Sequence, residues 1–353
     1  MADNLVNPII YNGNVPELNL NLCLFVDSAN GSDTTGSGSI TKPYATINAA
    51  KNSVTSSADA RYTILLMPGV YAPADFTTGY FSLRSFTGEA WNTIIQGTNA
   101  IALRFNVTSG NIYGITVRGT YVSNNSTLCE ISGPSTTVEE SVFNRTSSGT
   151  NGAGPVITCS SGVLQVFRSS LTLIDSSTSN IVNQSNPCLF FVSGSALLDT
   201  HHCIGSVDYS ASGSAWVQGI YDNTSGTVFV QDFDLFGELN GTAFNSVFYG
   251  IGHLGTGRAH LRNFRTTANR FGASTGSGFW AYSNSLSSPG ISVDCVNCYS
   301  EFTGTWSLVR DFHIDQSGDT TVAYDFVTKQ NNGVPTKSGS GTLSYNAITL
   351  TNI

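Results

Sequence analysis

A unit that opens on Ser-Gly and continues as an alternating strand recurs along this chain, and it restricts the possible folds more than any other feature. Ser161-Gly162 leads into Leu164 and Val166, Ser193-Gly194 into Ala196 and Leu198, and Ser225-Gly226 into Val228 and Val230. Counted from each glycine, the second and fourth residues are apolar. That is the period-two pattern of a strand with one buried face, started by a turn glycine. These three glycines are 32 residues apart. Thr256-Gly257 continues the series with Ala259 and Leu261, Ser317-Gly318 with Thr320 and Val322, and Ser340-Gly341 with Leu343 and Tyr345. Pro289-Gly290 fits with a one-residue slip, giving Ile291, Val293 and Cys295, while Ser132-Gly133 and Ser109-Gly110 lead into Val138 and Ile112. Spacings from Gly110 to Gly341 vary between 23 and 33 residues. A repeat of this length implies a solenoid, and its irregularity implies coils whose corners accept insertions.

Charged residues are 11% of the 353, against roughly 25% in an average globular protein. The 20 Phe, 14 Tyr and many β-branched residues, broken by Gly, Ser and Asn, give an all-β chain with enough apolar side chains for a core. The net charge of −8, without a basic cluster, argues against nucleic-acid binding. No apolar run approaches the roughly 18–20 residues of a membrane span. Met1 to Ile10 lacks the basic and apolar regions of a signal peptide, so synthesis in a cytosol without one is expected, with secretion as the alternative. Seven cysteines (23, 129, 159, 188, 203, 295 and 298) are expected as free buried thiols. Cys295-x-x-Cys298 falls in the inward strand pattern and is expected in the core; no metal or cofactor is expected.

Three segments follow: an N-terminal arm and strand over 1–24, a cap segment over 25–60, and the solenoid over 61–353. In the cap, Pro43 suits the first turn of a short helix that places Ile47, Ala50 and Val54 on one face. Thr63 to Met67 reads as a buried strand, closed by a Pro68-Gly69 corner. Further apolar bursts at Phe105 and Val107, Val142-Phe143, Leu171 and Leu173, Phe233 and Leu235, Phe244–Tyr249, Phe279–Tyr282 and Trp306–Val309 suggest three strands per coil.

Phe25-Val26-Asp27-Ser28-Ala29-Asn30-Gly31-Ser32-Asp33, followed by Lys42-Pro43-Tyr44-Ala45-Thr46-Ile47 and then Ile64-Leu65-Leu66-Met67-Pro68-Gly69-Val70-Tyr71, resembles the opening of the pectin-lyase-like superfamily. The resemblance covers 26–71. It implies an all-β, right-handed, single-stranded parallel β-helix of about 9–10 coils with a short N-terminal cap helix. The superfamily includes polysaccharide lyases, pectin methylesterases and the shafts of phage and virus tailspikes. Its catalytic signatures do not carry over. The chain has no Asp-Asp, Gly252-His253-Leu254-Gly255 departs from Gly-His-Gly, and Val230-Gln231-Asp232-Phe233 keeps two residues of Gln-Asp-Thr.

Equivalent positions of successive coils stack about 4.8 Å apart, so function is expected on an outward ladder. From the glycine register, one column holds Phe167, Asp199, Gln231 and Arg262, and another holds Ser170, His202, Asp234 and Arg265. The expected polar patch therefore contains Asp199, His201, His202, Asp232, Asp234, Arg262 and Arg265. Asp232 and Asp234 with His202 are the candidate acid/base groups; Asp199, His201, His202, Arg262 and Arg265 are the candidate ligand-binding groups. Alternating charges on a solvated sheet face explain the same residues without any ligand. Trp216, Trp280 and Trp306 are candidates for stacking on sugars or for the core. Eight Asn-x-Ser/Thr sites, such as Asn106 and Asn144, match the glycosylation acceptor pattern, which chance also produces in a chain this rich in Asn and Ser.

The expectation is a structural or surface β-helix of a virus or phage (spike, fibre or capsid-associated), with a glycan as candidate ligand and a homotrimer as candidate assembly. Thr342 to Ile353 ends without a visible cap helix, so a partner subunit is expected over that coil. The alternative is a carbohydrate-active enzyme, a polysaccharide lyase or glycosidase.

Overall fold

The computed structural model describes residues 19–122, 126–149, 153–178, 187–211, 216–240, 247–270, 278–284, 292–303, 308–314, 320–328, 337–338, 340 and 342–347. Most of the expected arm lies outside these residues, as does the end of the chain beyond Ala347. Among the described residues the strands pair in parallel, each coil hydrogen-bonding to the coils before and after it, so the chain is an all-β parallel β-helix. Crossovers between parallel strands take the right-handed path.

Three sheets form the walls. Sheet I contains Tyr62–Leu66, Phe81–Ser85, Gly110–Tyr113, Ser135–Glu139 and Val163–Phe167, then the first halves of the long strands Leu197–Tyr209, Thr227–Leu239 and Arg258–Arg270, then Ser292–Val296. Sheet II contains Gly69–Tyr71, Thr93–Thr98, Thr116–Tyr121, Val142–Ser147 and Ser170–Asp175, the second halves of the same long strands, and Tyr299–Thr303. Among the described residues sheet III has ten strands, from Ala74–Phe76 to Lys337–Ser338. The expected apolar bursts divide between sheet II (Val142-Phe143, Leu171, Leu173, Phe233, Leu235) and sheet III (Phe105, Phe248, Phe279). Phe244 to Ser246 and Trp306 lie outside the described residues.

The corner between sheets I and II explains why the buried face changes phase. Glu140, Arg168, His202, Asp232, Asn263 and Asn297 all adopt left-handed backbone, with φ between 45 and 54°. Their preceding residues are rung neighbours, in the order Glu139, Phe167, His201, Gln231, Arg262, Val296, so the six form one column. One left-handed residue turns the strand and shifts the alternation by one. Val230 and Phe233 thus both point inward, three residues apart instead of two. Asn and Asp tolerate this conformation, and they fill three of the six positions. Asn263→Ala is expected to cost about 2 kcal/mol from strain and lost hydrogen bonds, and Asn263→Gly about half of that. Urea melts of the two variants separate the backbone share from the hydrogen-bond share.

The register corrects the sequence reading in two coils. Val163 pairs with Leu197 and Thr227 with Arg258, so Ala196, not Gly194, occupies the corner position of Gly162, Gly226 and Gly257. Two extra residues precede it, with Gly194 left-handed at φ +65°. In the coil of Thr320–Thr328, Thr321 and Ala323 take the register of Val293 and the buried Cys295, whereas Val322 aligns with Asp294.

At the start, the helix spans Ile47–Asn52 with Thr46 as N-cap, so Pro43 lies ahead of it instead of in its first turn. Ile47 and Ala50 are buried and Val54 packs against the core. Leu20–Leu22 forms a 3-10 turn before the strand Cys23–Val26, at the end of the segment 1–24 where an arm and strand were expected. Asp33 pins this segment: its carboxylate accepts from the backbone N–H groups of Ala45 (2.8 Å) and Thr46 (2.9 Å) and from the Thr46 hydroxyl (2.7 Å). Partial burial raises its pKa, but the Thr46 hydroxyl and the two N–H groups outweigh it and hold the carboxyl below its ordinary value. A depressed carboxyl stabilises the fold above its unfolded pKa, and that stabilisation is lost as pH falls through the folded value. Asp33→Asn is expected to cost about 1 kcal/mol at pH 7, given the exposure of the group, and to lose this difference in acid below pH ~3. Melts at both pH values check it.

All seven cysteines are buried and free, in line with the sequence reading. Cys295 and Cys298 point inward on either side of the corner residue Asn297, and the neighbouring Cys298 thiol together with burial pushes the Cys295 thiol well up.

Candidate functional site

Two outward columns cover the end of sheet I nearest the corner. One runs Gln165, Asp199, Phe229, His260, Asp294; the other runs Glu139, Phe167, His201, Gln231, Arg262. The left-handed column lies beside them. Because both walls of each strand are laddered to neighbouring coils, the side chains are held at fixed spacing by rigid backbone.

His201 Nε2 lies 2.8 Å from Asp199 Oδ1, and Gln165 donates to Asp199 Oδ2 at 3.3 Å. His260 Nδ1 lies 3.0 Å from Asp294 Oδ2, and His202 Nε2 lies 3.3 Å from Asp232 Oδ2. Three imidazoles on one face thus each meet a carboxylate. Along the corner, Asn297 donates to Asn263 at 2.7 Å and Asn263 donates to Asp232 at 2.6 Å. Arg168 bridges Glu139 and Glu140, and Tyr113 donates to Glu140 at 2.8 Å. The Asn263 amide is the main cause that holds the Asp232 carboxyl below its ordinary value; partial burial opposes it, and Gln231, His202 and His201 assist.

The Phe167 ring stacks on His201 and the Phe229 ring on His260, each pair with centroids 5.0 Å apart and planes 13° apart. Stacking along the coil axis uses the facing surfaces of the rings and turns their edges to solvent. Arg258 and Arg262 project from the same face as exposed cations.

Of the expected patch, Asp199, His201, His202, Asp232 and Arg262 come together here. The two-residue slip moves His201 into the column of Phe167, Gln231 and Arg262, where Asp199 was expected, and puts Ile204 between Ser170 and Asp234, where His202 was expected. Asp234 and Arg265 are rung neighbours on sheet II, beyond the corner, with Arg265 4.9 Å above the Tyr299 ring. Asp232 and Asp234 are therefore split by the turn and do not form a carboxylate pair on one sheet face. Sequence reasoning missed Phe229, His260 and Asp294. The signal was present, since His260 and Arg262 follow Phe229 and Gln231 by 31 residues. The side chains of Trp216, Trp280 and Trp306 lie outside the described residues, whereas Trp91, not singled out, is 74% exposed. Among the described residues no group of three His, Cys, Asp or Glu is placed to hold a metal ion, and no helix is long and apolar enough to cross a membrane.

No protein-family model matches the chain, and no curated protein matches it. Two solved structures are similar in path. A pectin methylesterase from carrot has a TM-score of 0.45 at 11% identity, over 91% of this chain and 87% of that one. The pectate lyase Pel9A has a TM-score of 0.48 at 15% identity, over 92% and 78%. At these scores the likeness assigns no residue and no activity to this chain; the fold rests on its own strand ladders.

Proposed function

We propose that the outward face of sheet I is a glycan-binding strip on a structural or surface β-helix, of the kind that forms spikes, fibres or capsid-associated components of viruses and phages. One observation carries the glycan reading: planar polar side chains from Gln165, Asp199, His201, Gln231, His260, Arg262 and Asp294 occupy five adjoining coils. At about 4.8 Å per coil the strip is about 19 Å long. Such groups match the hydroxyls of a sugar chain with fixed donor and acceptor directions, and a rigid scaffold lowers the entropic cost of binding. Ring edges of Phe167 and Phe229 add apolar contact.

Binding without catalysis is favoured by the state of Asp232. A general acid needs a raised pKa, whereas Asp232 is held below its ordinary value. The other reading, a polysaccharide lyase or glycosidase, draws on the His201–Asp199 contact, an imidazole oriented by a carboxylate as catalytic bases are. Incubation with a panel of polysaccharides, scored for new reducing ends and unsaturated products, separates the two. Release of product that Asp199→Asn abolishes would overturn the non-catalytic reading.

Exposed apolar side chains on sheet II support an assembled form: Ile174, Ile204 and Phe236 are 37%, 53% and 41% exposed. A homotrimer is the assembly proposed. Light scattering is expected to give about three times the 37.3 kDa chain mass, and a monomer would contradict it.

A further inference from the structure

The corners between sheets I and II share a contact made by the residue that follows the left-handed one. That residue turns inward, and where it is small and polar its side chain reaches back over the turn. The hydroxyls of Ser141 and Ser169 donate to the carbonyls of Glu139 (2.9 Å) and Phe167 (2.8 Å). In the same way Cys203 Sγ lies 3.3 Å from the His201 carbonyl and Cys298 Sγ lies 3.5 Å from the Val296 carbonyl. Both thiols also approach the preceding coil, Cys203 at 3.4 Å from the Val166 carbonyl and Cys298 at 3.7 Å from that of Leu261. Val166 and Leu261 are the rung neighbours of Thr200 and Cys295, the last inward residues before the turn. The fold thus sets the Cys298 thiol against the position of Cys295. The two residues are 3% and 1% exposed, and their thiols are in hydrogen-bonding contact. Among the described residues, no other corner of this column holds two cysteines.

We infer that Cys295 and Cys298 are a covalent modification site, closing to a disulfide that staples sheet I to sheet II when the chain folds in an oxidising medium. The oxidant is a small-molecule disulfide such as oxidised glutathione. One cysteine thiolate attacks a sulfur of it and expels a thiolate, which leaves a mixed disulfide on the protein. The second cysteine thiolate attacks the protein sulfur of that bond and expels the other half. The two cysteines lose two electrons and two protons, and the small disulfide is reduced to two thiols. In the folded chain burial and the Cys298 contact hold the Cys295 thiol well above its ordinary pKa, so little thiolate is present to react. Exchange therefore takes place before the coil closes, and the finished bond is shielded from reductants by the same burial. Closure gives up only the contacts of Cys298 with two carbonyls, in which a thiol is a weak donor. The cross-link spans three residues, so its effect on stability is small. It fixes the strand that carries Asp294 to the strand Tyr299–Thr303.

The test uses the intact chain, unfolded with urea and a reductant, freed of the reductant, and refolded in a mixture of oxidised and reduced glutathione. Remaining thiols are then blocked with iodoacetamide in denaturant, and tryptic peptides are weighed. The peptide that follows Arg270 and ends at Arg310 contains both residues. It is expected to carry no alkyl group and to be lighter than the dithiol by two hydrogens, while the other cysteines are alkylated. Reduction of the bond is expected to lower the melting temperature by about 3 °C. Cys298→Ser places at this corner the residue that Ser141 and Ser169 supply in earlier coils. That variant is expected to fold and to melt at one temperature with or without dithiothreitol. Alkylation of both residues after oxidative refolding, a glutathione left on either, a bond from either to a third cysteine, or a wild-type melting temperature indifferent to reduction overturns the proposal.

Discussion

A single added methyl group at Gly257 is expected to cost about 4 kcal/mol or more and to lower the melting temperature by roughly 10 °C. The Cβ of Gly257→Ala would sit 1.7 Å from the carbonyl oxygen of Gly226, an approach no real Cβ makes. That oxygen cannot retreat, because it accepts the N–H of Arg258 at 3.2 Å and so closes the corner between consecutive coils. Relief requires separation of the coils and loss of ladder hydrogen bonds on both sides. Ala196 provides the control at the same column position, in the coil lengthened by two residues. Ala196→Gly is expected to cost only about 0.5–1 kcal/mol, from added freedom of the unfolded chain and a lost buried methyl. Equal losses for the two substitutions in thermal melts would refute the close-approach account.

Phe233→Ala is expected to destabilise by about 3–5 kcal/mol. Phe233 is fully buried as the first inward residue after the left-handed corner, in register between Cys203 and Phe264. Its ring meets Phe190 of sheet III at 6.4 Å and Phe264 of the next coil at 6.0 Å, so it ties two walls and two coils together. Stacked coils cannot close such a cavity without slipping the ladder. Phe233→Leu keeps most of the volume and is expected to lose less than half as much. Denaturant unfolding followed by fluorescence and circular dichroism gives both values.

The solenoid was legible because period-two alternation restarts every coil, and the buried sets Leu164/Val166 and Val228/Val230 need only that pattern. The register was not fully legible, because it depends on corners. Ser193-Gly194 looks like its neighbours in sequence, yet the chain takes two more residues before Ala196 reaches the corner. That slip moved Asp199 and His202 out of the columns assigned to them. The phase change after Val230, seen in Phe233 and Phe264, is written in the residue between them, where Asp232 and Asn263 take left-handed backbone. A short polar side chain at a strand corner is a weak signal alone and a clear one when repeated in Asn297. His260 and Asp294 went unseen because a lone outward histidine carries no pattern until the ladder sets it beside its acid.

The most direct test of the glycan-binding strip is a glycan-array screen followed by titration calorimetry of the best ligand against wild type and two variants, Gln231→Ala and Arg262→Ala. Both substitutions are on the surface and are expected to leave the melting temperature nearly unchanged. The account predicts binding by wild type and an affinity about tenfold weaker in each variant, equivalent to about 1.4 kcal/mol. Absence of any bound glycan, or an affinity that neither variant changes, would contradict it.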